Sequence, residues 1–417
     1  MGKFEIIGGR KLEGTVVNQG SKNAALPIFA ASLLTDEEIV LREVPDVIDL
    51  RNMAMVLRDT GARVNEGSVT RFDAGKINNP NILLEAAQRI RSSILLPAAL
   101  ISRFSKVIVP FPGGDSIGTR KIDSYVLGLR ALGVTVKTDS KGICIEAQKT
   151  RGGNIELVFP SVTGTEGVLI AAVLAEGKTI VTNVAQEPEI VDLANFLNSM
   201  GAKIKGAGTE VIKVTGVREL HGTDYTLIPD RMVAGTLLAA AAITKGDVLV
   251  ENVVPKHLKA TLDKLKEVGV KVCESSRAIG IKCTSQRIHP VDIVTEIYPG
   301  FPTDMQPIFM ALLAIADGVS SIKETMYDDR FRHAEDLTRM GARIEIQANT
   351  ARIRGVKRLR GARVMARDIR AGAAVTLSGL AAQGATEVSN VYEIDRGYAR
   401  LEKILSRLGA EIRRIKG

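Results

Sequence analysis

Several residue types are scarce in this chain of 417 residues, and each scarcity excludes a class of protein. Tryptophan is absent and aromatic residues make up only 4% of the chain, so the alternation of aromatic and basic residues that binds single-stranded nucleic acid is missing. We therefore predict no nucleic-acid partner, and small anionic substrates account for the net charge of +9. No window holds the roughly 18 apolar residues that a membrane span requires. The N-terminal MGKFEIIGG also lacks the apolar core of a signal peptide, so we expect a cytoplasmic protein without membrane insertion.

Cysteine and histidine are rare as well. The chain has three cysteines in apolar, strand-like runs, which predicts buried free thiols in a reducing compartment: Cys144, Cys273 and Cys283. The four histidines do not pair with cysteines at the spacing of metal ligands: His221, His257, His289 and His333. The sequence predicts no metal site.

The chain does contain a phrase that returns six times: glycine, a small residue, one polar residue, then Val or Ile. The copies begin 68 or 72 residues apart, at Gly61, Gly133, Gly201, Gly269, Gly341 and Gly409. Each copy follows an amphipathic stretch, which predicts a helix that ends at a C′ glycine and leads into a strand.

A second series of helices runs in phase with this phrase. These stretches are apolar nearly all round, which predicts helices buried on every side, at residues 24–34, 94–101, 167–175, 235–244, 307–316 and 373–382. Units of about 70 residues are far longer than solenoid repeats. We therefore predict a mixed α/β (α+β) fold with two similar domains, each of three repeated helix–strand units around buried helices.

The starts of these buried helices are polar. Two of them, Thr163 to Glu166 and Thr303 to Gln306, match the capping box, which predicts that their threonines are N-caps. Capping does not explain four cations near helix starts, because cations are disfavoured at the positive end of a helix dipole: Lys22, Arg91, Arg120 and Arg370. Repeated unfavourable placement indicates a bound anion.

One loop combines backbone freedom with reactive side chains. Residues 112–120 read PGGDSIGTR and lie between an apolar strand and a helix that begins near Ile122. Their glycines allow a ligand to approach the main chain. Within the loop, Asp115 offers a proton and Arg120 offers a planar fork for phosphate or carboxylate. A flexible surface turn is the alternative interpretation.

Seven segments of the sequence together resemble a known family. They read GSKNAALP, PGGDSIGTR, EPEIVDLANFL, PDR, FPTDMQ, RFRHAEDLTRMGA and DRGYARLE, in order along the chain. The resemblance is to the UDP-N-acetylglucosamine 1-carboxyvinyltransferases, also called enolpyruvyl transferases, and it covers essentially the whole chain. It implies the family's inside-out α/β barrel, with residues 22–229 forming the catalytic-loop domain. Residues 1–21 and 230–417 would form the second domain, with the active site in the cleft between the two.

The resemblance also implies roles for individual residues. The catalytic group would be Asp115, Asp304, Lys22 and Arg396. Phosphoenolpyruvate would be bound by Lys22, Asn23, Arg91, Arg120, Arg330, Arg370 and Arg396. The UDP-sugar would contact Asn23, Arg91, Arg120, Lys121, Ile122, Asp123, Ser124, Tyr125, Pro160, Thr163, Gly164, Asp304 and Met326. Asp304 would be the general base for the attacking sugar hydroxyl, and no metal or organic cofactor would be needed.

The chain departs from the common family pattern at several positions. Asp115 stands where the family usually has cysteine, which predicts insensitivity to fosfomycin because the drug reacts with a thiolate. As an acid, Asp115 would need a pKa raised toward neutrality by burial or a like charge. Lys121, Ser124 and Tyr125 stand where proline, leucine and histidine are usual.

Three alternatives stay open at this point. A 5-enolpyruvylshikimate-3-phosphate synthase shares the fold and chemistry, but Asn23 stands where that enzyme has serine. A catalytically silent paralogue could bind the UDP-sugar without turnover. For Arg396 alone, the alternative to an anion contact is an exposed turn pair with Asp395.

Overall fold

The computed structural model describes residues 2–82, 85–115, 117–118, 121–139, 142–283 and 287–415. The predicted ligand-binding residue Arg120 lies outside the described residues. The chain divides into two compact units. Unit 1 contains Met1–Gln19, Asp115–Arg120 and Pro229–Gly417, and unit 2 contains Gly20–Gly114 and Lys121–Ile228.

These units differ from the predicted domains by one or two residues at the boundaries and in one loop. All of 22–229 is predicted as one domain, whereas Asp115 and its described neighbours in the loop group with unit 1. The prediction that the active site lies in a cleft between two domains stays a prediction.

Helices occupy much of both units. In chain order they are α1 (Lys22–Ala31), α2 (Ile48–Asp59), α3 (Glu85–Arg89), α4 (Leu96–Leu100), α5 (Asp123–Ala131), α6 (Val162–Ala172), α7 (Pro188–Ser199), α8 (Arg231–Ile243), α9 (Lys259–Glu267), α10 (Gln306–Leu313), α11 (Ala334–Arg339), α12 (Ile369–Ala381), α13 (Tyr392–Asp395) and α14 (Leu401–Arg407). Short 3₁₀ turns lie at Ser32–Leu34, Arg91–Leu95, Pro255–Leu258 and Thr303–Met305. None of the helices in the described part of the chain is both long and apolar enough to cross a membrane.

Short strands alternate with the helices. They are β1 (Lys3–Ile7), β2 (Glu13–Val17), β3 (Ile39–Arg42), β4 (Arg63–Asn65), β5 (Val69–Asp73), β6 (Lys106–Val109), β7 (Thr135–Asp139), β8 (Gly142–Glu146), β9 (Asn154–Glu156), β10 (Lys178–Thr182), β11 (Lys203–Lys205), β12 (Val211–Thr215), β13 (Thr223–Thr226), β14 (Asp247–Glu251), β15 (Lys271–Glu274), β16 (Ala278–Lys282), β17 (Ile293–Val294), β18 (Val319–Lys323), β19 (Arg343–Gln347), β20 (Thr350–Arg354), β21 (Arg363–Met365), β22 (Ala385–Ser389) and β23 (Glu411–Ile415).

The strands form sheets in which one pattern of strand order and pairing recurs. Unit 1 has the orders β21-β22-β1-β23, β15-β16-β14-β2 and β17-β18-β20-β19. Unit 2 has β11-β12-β10-β9, β13-β3-β5-β4 and the three-stranded β6-β8-β7. In each four-stranded sheet one edge strand pairs in parallel and the other pairs are antiparallel. The repeated-unit prediction is confirmed.

The N-terminal strands explain why residues far apart in sequence share unit 1. β1 pairs antiparallel with β22 and with β23, with Phe4 opposite Val388 and Arg414. β2 pairs in parallel with β14. The first strands of the chain thus complete two of the three sheets that the last half of the chain begins.

The buried helices lie at the centre of each unit, as their apolar pattern predicts. In unit 1 the buried residues of α8, α10 and α12 belong to one hydrophobic core, which the inner faces of the three sheets complete. If the 3₁₀ turns that begin at Arg91 and Thr303 are counted with α4 and α10, the helical segments begin two to five residues earlier than predicted, as at Val162 and Ile369. The polar residues ahead of each apolar stretch form its first turn or cap, so sequence apolarity alone places the start too late.

The glycines that end the outer helices behave as predicted. The first glycine of each repeated phrase has a positive φ, between 84° and 100°, which costs a residue with a side chain more than it costs glycine. These residues are Gly61, Gly133, Gly201, Gly269, Gly341 and Gly409.

Two local predictions are wrong. Ser161, not Thr163, caps α6, because its hydroxyl accepts from Gly164 N at 3.1 Å. Thr303 does not cap its turn either, because its hydroxyl donates to Glu324 instead.

The thiols are also less buried than predicted. Cys273 is exposed, and Cys144 and Cys283 are half-buried free cysteines. Cys273 lies on the edge strand β15 and Cys144 alternates with two buried isoleucines of β8, so the alternation of a strand turns both outward.

Candidate active site

Two buried arginines in unit 1 hold the carboxylate of Asp304. Asp304 lies in the 3₁₀ turn Thr303–Met305, directly before α10. Its Oδ1 accepts from Arg330 Nη2 at 2.8 Å and its Oδ2 accepts from Arg370 Nε at 3.0 Å. The arginine side chains are 1% and 3% exposed, whereas Asp304 is 29% exposed. The carboxylate is therefore fixed from the protein side and accessible from the other.

The helix α12 delivers Arg370 to this position from its first turn. Asp368 caps the helix by accepting from Arg370 N and Ala371 N, at 2.8 and 2.9 Å. The guanidinium of Arg370 lies 5.3 Å from the ring centroid of Tyr398, whose hydroxyl bonds Thr236 at 2.9 Å. Cap, ring and carboxylate together fix a cation at a helix start, where the dipole opposes it.

Arg396 forms a second buried cation close to the loop. Its Nη1 donates to Asp115 Oδ1 at 2.5 Å and to Glu393 Oε2 at 2.8 Å, and its side chain is 8% exposed. Its neighbour Asp395 pairs with Arg414 instead. The alternative of an exposed turn pair between Asp395 and Arg396 is therefore wrong.

The loop that carries Asp115 packs against the segment before Arg330. Asp329 N donates to Ile117 O at 3.2 Å. Gly118 has a φ of +117°, and a Cβ at this position would lie 1.8 Å from Asp328 Oδ1. Only glycine allows this approach. The predicted loop residues Ser116 and Thr119 lie outside the described residues.

The charges of this region act on each other. Burial opposes the charge of Arg330, but Asp304, Asp368 and Asp115 outweigh it and raise the Arg330 pKa. Burial raises the pKa of Asp368; Arg330 opposes this rise and the charge of Asp115 adds to it. Asp115 thus lies in the field of a neighbouring carboxylate as well as in that of two arginines.

Three guanidinium nitrogens here have no hydrogen-bond acceptor among the described residues. They are Nε and Nη1 of Arg330 and Nη1 of Arg370, all buried. A buried donor without an acceptor costs about 1–3 kcal/mol, and more when it is charged. Donors of this kind indicate a site for an anionic ligand.

In unit 2, Lys22 forms a buried ion pair. Ser21 caps α1 by accepting from Ala24 N at 3.2 Å, which makes Lys22 the first helical residue. Lys22 Nζ lies 3.2 Å from Asp49 Oδ2, and the two side chains are 8% and 4% exposed. Asn23 follows Lys22 and is half-buried.

The predicted UDP-sugar residues of unit 2 fall into two segments that lie together. Ser124 Oγ donates to Phe159 O at 3.4 Å, which joins the start of α5 to the residue before Pro160. A Cβ on Gly164 would lie 2.8 Å from Ser124 Cβ, so the first turns of α5 and α6 are in close contact. Arg91 Nη2 lies 3.5 Å from Lys121 O, at the edge of this group.

These residues differ in exposure. Lys121 and Asp123 are exposed, whereas Ile122, Pro160 and Thr163 are half-buried. Ser124 and Tyr125 are each 1% exposed, and a Cβ on Gly167 would lie 2.4 Å from the Tyr125 ring. Tyr125 therefore packs α5 against α6. In unit 1, Met326 is 37% exposed.

Three buried or partly buried carboxylates were not predicted from the sequence, and two of them, Asp49 and Glu393, neutralise predicted cations. Asp49 lies in the first turn of α2 beside apolar residues, and Glu393 precedes Arg396 by one helical turn. Glu324 directly follows β18 and is 2% exposed. An acidic residue on the apolar side of a helix or at the end of a buried strand is the signal that could have found them.

Comparisons with known proteins identify the family to which the chain is similar. The family model described as EPSP synthase (3-phosphoshikimate 1-carboxyvinyltransferase) matches residues 6–405. The chain is 46% identical to UDP-N-acetylglucosamine 1-carboxyvinyltransferase 1 of Carboxydothermus hydrogenoformans, over 100% of this chain and 99% of that protein. It is 47% identical to UDP-N-acetylglucosamine 1-carboxyvinyltransferase of Desulfatibacillum aliphaticivorans, over the full length of both.

Solved structures share the fold at lower identity. The enolpyruvyl transferase NikO from Streptomyces tendae superimposes with a TM-score of 0.89 at 24% identity, over 100% of this chain and 99% of that one. EPSP synthase from Acinetobacter baumannii gives a TM-score of 0.77 at 20% identity, over the full length of both chains.

Proposed function

The chain belongs to the UDP-N-acetylglucosamine 1-carboxyvinyltransferases within the EPSP synthase family, and we propose that it catalyses their reaction. It transfers the enolpyruvyl group of phosphoenolpyruvate to the 3′-hydroxyl of UDP-N-acetylglucosamine and releases phosphate. The observation that carries this proposal is the buried group of Asp304, Arg330 and Arg370, with charged donors that lack acceptors among the described residues. A carboxylate between two such arginines suits an acceptor hydroxyl beside an anionic donor substrate.

The cations of unit 1 bind phosphoenolpyruvate in this proposal. Arg330 and Arg370 are held by Asp304 through one nitrogen each, so their remaining N–H groups can donate to a carboxylate or phosphate. Arg396 is held by two carboxylates, Asp115 and Glu393. An incoming anion competes with them for its guanidinium.

Residues of unit 2 supply further contacts. Lys22 carries a buried charge at the start of α1, where the helix N–H groups also favour an anion. We assign Lys22, Asn23 and Arg91 to the binding of phosphoenolpyruvate. The same role for Arg120 stays a prediction.

Asp304 is the general base for the acceptor hydroxyl. Its carboxylate is the accessible member of the buried group, so a sugar hydroxyl can approach it while Arg330 and Arg370 fix its orientation. Removal of the hydroxyl proton lets the oxygen attack C2 of phosphoenolpyruvate. Met326 is exposed, and in this proposal its side chain contacts the sugar.

Asp115 is the acid that protonates the methylene carbon during this attack. Arg396 stabilises its ionised form, and the nearby carboxylate of Asp368 favours its neutral form. Binding of an anionic substrate to Arg396 weakens the first effect. Loss of phosphate from the adduct, together with one proton of the new methyl group, restores the carbon–carbon double bond and gives the enolpyruvyl ether.

The joined segments of unit 2 bind the UDP-sugar. These segments combine exposed polar side chains with buried residues packed beneath them. Their members are Lys121, Ile122, Asp123, Ser124, Tyr125, Pro160, Thr163 and Gly164. Because Ser124 and Tyr125 are buried between two helices, we expect their backbone and the shape that they impose to act on the nucleotide. The product is a precursor for peptidoglycan, and a cytoplasmic location and fosfomycin insensitivity belong to this proposal.

Phosphate release from phosphoenolpyruvate tests the proposal. We expect release with UDP-N-acetylglucosamine as acceptor and none with shikimate 3-phosphate, and Asp304→Asn serves as the inactive control. Release with shikimate 3-phosphate alone would assign the other carboxyvinyl transfer. No release with either acceptor would indicate a protein that binds the UDP-sugar without turnover.

A further inference from the structure

Glu324 is a buried carboxylate to which the reaction proposed above assigns no role. It directly follows β18 and is 2% exposed. Its Oε1 accepts from Thr295 Oγ1 at 2.9 Å, from Met326 N at 2.8 Å and from Tyr327 N at 3.3 Å. Its Oε2 accepts from Thr303 Oγ1 at 2.9 Å. These donors match the roughly four acceptor positions of an ionised carboxylate.

The two oxygens of Glu324 lead to two parts of the active site. Thr303 is the residue before Asp304 and begins the same 3₁₀ turn. Met326 and Tyr327 begin the segment that ends at Arg330, and Arg330 Nη2 donates to Asp304 at 2.8 Å. The Asp304 turn and the segment that ends at Arg330 are therefore joined twice. Glu324 joins them through its hydrogen bonds to Thr303, Met326 and Tyr327, and the ion pair between Asp304 and Arg330 joins them a second time.

The same segment also contacts the loop of the proposed acid. Asp329 N donates to Ile117 O, and Gly118 lies against Asp328. Residues 326–330 thus touch the Asp115 loop on one side and Asp304 on the other. A shift of this segment would move the acid and the base relative to each other.

The chemistry of the donors explains why a carboxylate serves here. Backbone N–H groups such as those of Met326 and Tyr327 cannot rotate to become acceptors, so they require an acceptor opposite them. No Lys or Arg within the described residues forms an ion pair with Glu324, so hydrogen bonds alone offset its burial. A buried group of this kind is sensitive to small displacements of its donors.

We propose that Glu324 is a positioning residue for the carboxyvinyl transfer. It sets the distance between the Asp304 turn and residues 326–330, and through them the geometry of Asp304, Arg330 and the Asp115 loop. This inference rests on the proposed function for its kinetic consequences. Since a displacement of about 1 Å costs up to 100-fold in rate, the effect falls on kcat more than on substrate binding.

Thr303 gives the most selective test, because its hydroxyl makes the hydrogen bond that connects Glu324 to the turn that contains Asp304. Thr303→Val removes the hydroxyl and keeps the shape of the side chain, and we expect kcat to fall at least about tenfold. The KM for UDP-N-acetylglucosamine should change less than about threefold. Thr303→Ser keeps the hydroxyl and should restore kcat.

Substitutions of Glu324 test the positioning residue itself. Glu324→Gln can keep its amide oxygen on Met326 N and Tyr327 N while its NH₂ donates to Thr303, whose hydroxyl can rotate to accept. We expect Glu324→Gln to stay within about threefold of wild-type kcat and Glu324→Ala to lose up to about 100-fold. The double variant Thr303→Val with Glu324→Ala should lose no more than Glu324→Ala alone, because both changes break the same bond.

A matched control and a second measurement separate positioning from loss of fold. Thr338→Val deletes a hydroxyl that bonds Ala334 O within α11, and it should leave kcat unchanged. Hydrogen exchange should become faster at the amides of Met326 and Tyr327 in Glu324→Ala and stay unchanged there in Thr303→Val.

The outcomes are distinguishable. Wild-type kcat in Thr303→Val, or additive losses in the double variant, would overturn the inference while the proposed function stands. An inactive wild-type protein would refute the proposed function. In that case unchanged exchange in Glu324→Ala would also refute the structural part of the inference, and faster exchange would support it.

Discussion

Asp192 gives a prediction whose size follows from its surroundings. It lies on α7 in unit 2 and is 2% exposed. Its Oδ1 accepts from the hydroxyl of Tyr225 at 2.6 Å and its Oδ2 accepts from Ile228 N at 3.4 Å. Burial raises the pKa of Asp192 to about 7; the Tyr225 and Ile228 bonds oppose this rise, and the charge of Glu189 adds to it.

The sign of the effect follows from the raised pKa. In the unfolded chain the carboxyl titrates near 3.8, so the folded state holds its proton over a range where the unfolded state has lost it. The resulting stabilisation is present at acid pH and is lost as the pH rises through the folded pKa. With 1.36 kcal/mol for each pH unit, the full loss is about 4 kcal/mol, of which about 3 kcal/mol falls between pH 4.5 and 7.5.

The substitution Asp192→Asn removes this titration and keeps an acceptor for Tyr225. We expect the difference in unfolding free energy between variant and wild type to shift by about 3 kcal/mol in favour of the variant from pH 4.5 to 7.5. Urea unfolding of the transition that contains unit 2, followed by circular dichroism, measures it. Comparing two pH values cancels any constant effect of the substitution.

Two further variants control the experiment. Asp224→Asn removes an exposed carboxyl whose pKa is lowered mainly by its hydrogen bond with Arg42, so its effect should not change over this pH range. Tyr225→Phe removes a bond that opposes the raised pKa of Asp192, so the loss should extend to higher pH. A pH-independent difference for Asp192→Asn would refute the reasoning, because it would mean that the buried carboxyl ionises as in water.

Three predictions concern the proposed chemistry. Asp304→Asn should lower kcat by roughly 10²–10⁴-fold and leave substrate binding measured by calorimetry largely intact; wild-type turnover would exclude a base. Arg396→Ala should weaken phosphoenolpyruvate binding by roughly 2–5 kcal/mol, because it removes a buried charged donor; an unchanged KM would contradict this. The wild-type protein should keep its activity after fosfomycin treatment, whereas Asp115→Cys should be labelled covalently, as seen by mass spectrometry, since a thiolate opens the epoxide; labelling of the wild type at Asp115 would contradict this.

The repeated fold could be predicted because its signals are local. Each outer helix ends at a glycine whose positive φ only a few residue types tolerate, and each buried helix is apolar all round. The N-terminal strands could not be placed in the same way. β1 completes a sheet with β22 and β23 about four hundred residues later, and nothing in five residues of alternating pattern specifies so distant a partner.

Only part of the candidate site could be predicted from the sequence, because its cations lie in local motifs and their carboxylate partners lie elsewhere in the chain. The motifs that carry Lys22, Arg370 and Arg396 locate cations, but a motif does not show which carboxylate neutralises each one. Asp49, Asp304 and Glu393 fulfil that role in the folded chain. The capping-box match at Thr303 gave a wrong prediction for the same reason. The hydroxyl of Thr303 donates to the carboxylate of Glu324, which lies 21 positions later in the sequence.

The position of Asp115 depends on contacts that the loop sequence alone does not show. A side chain on Gly118 would overlap Asp328, and the φ of +117° would strain any other residue. The close approach at Gly118 and the bond from Asp329 N to Ile117 O bring the loop to residues 326–330, and the ion pair with Arg396 holds Asp115 itself. The glycine therefore permits the approach that places the proposed acid beside Arg396.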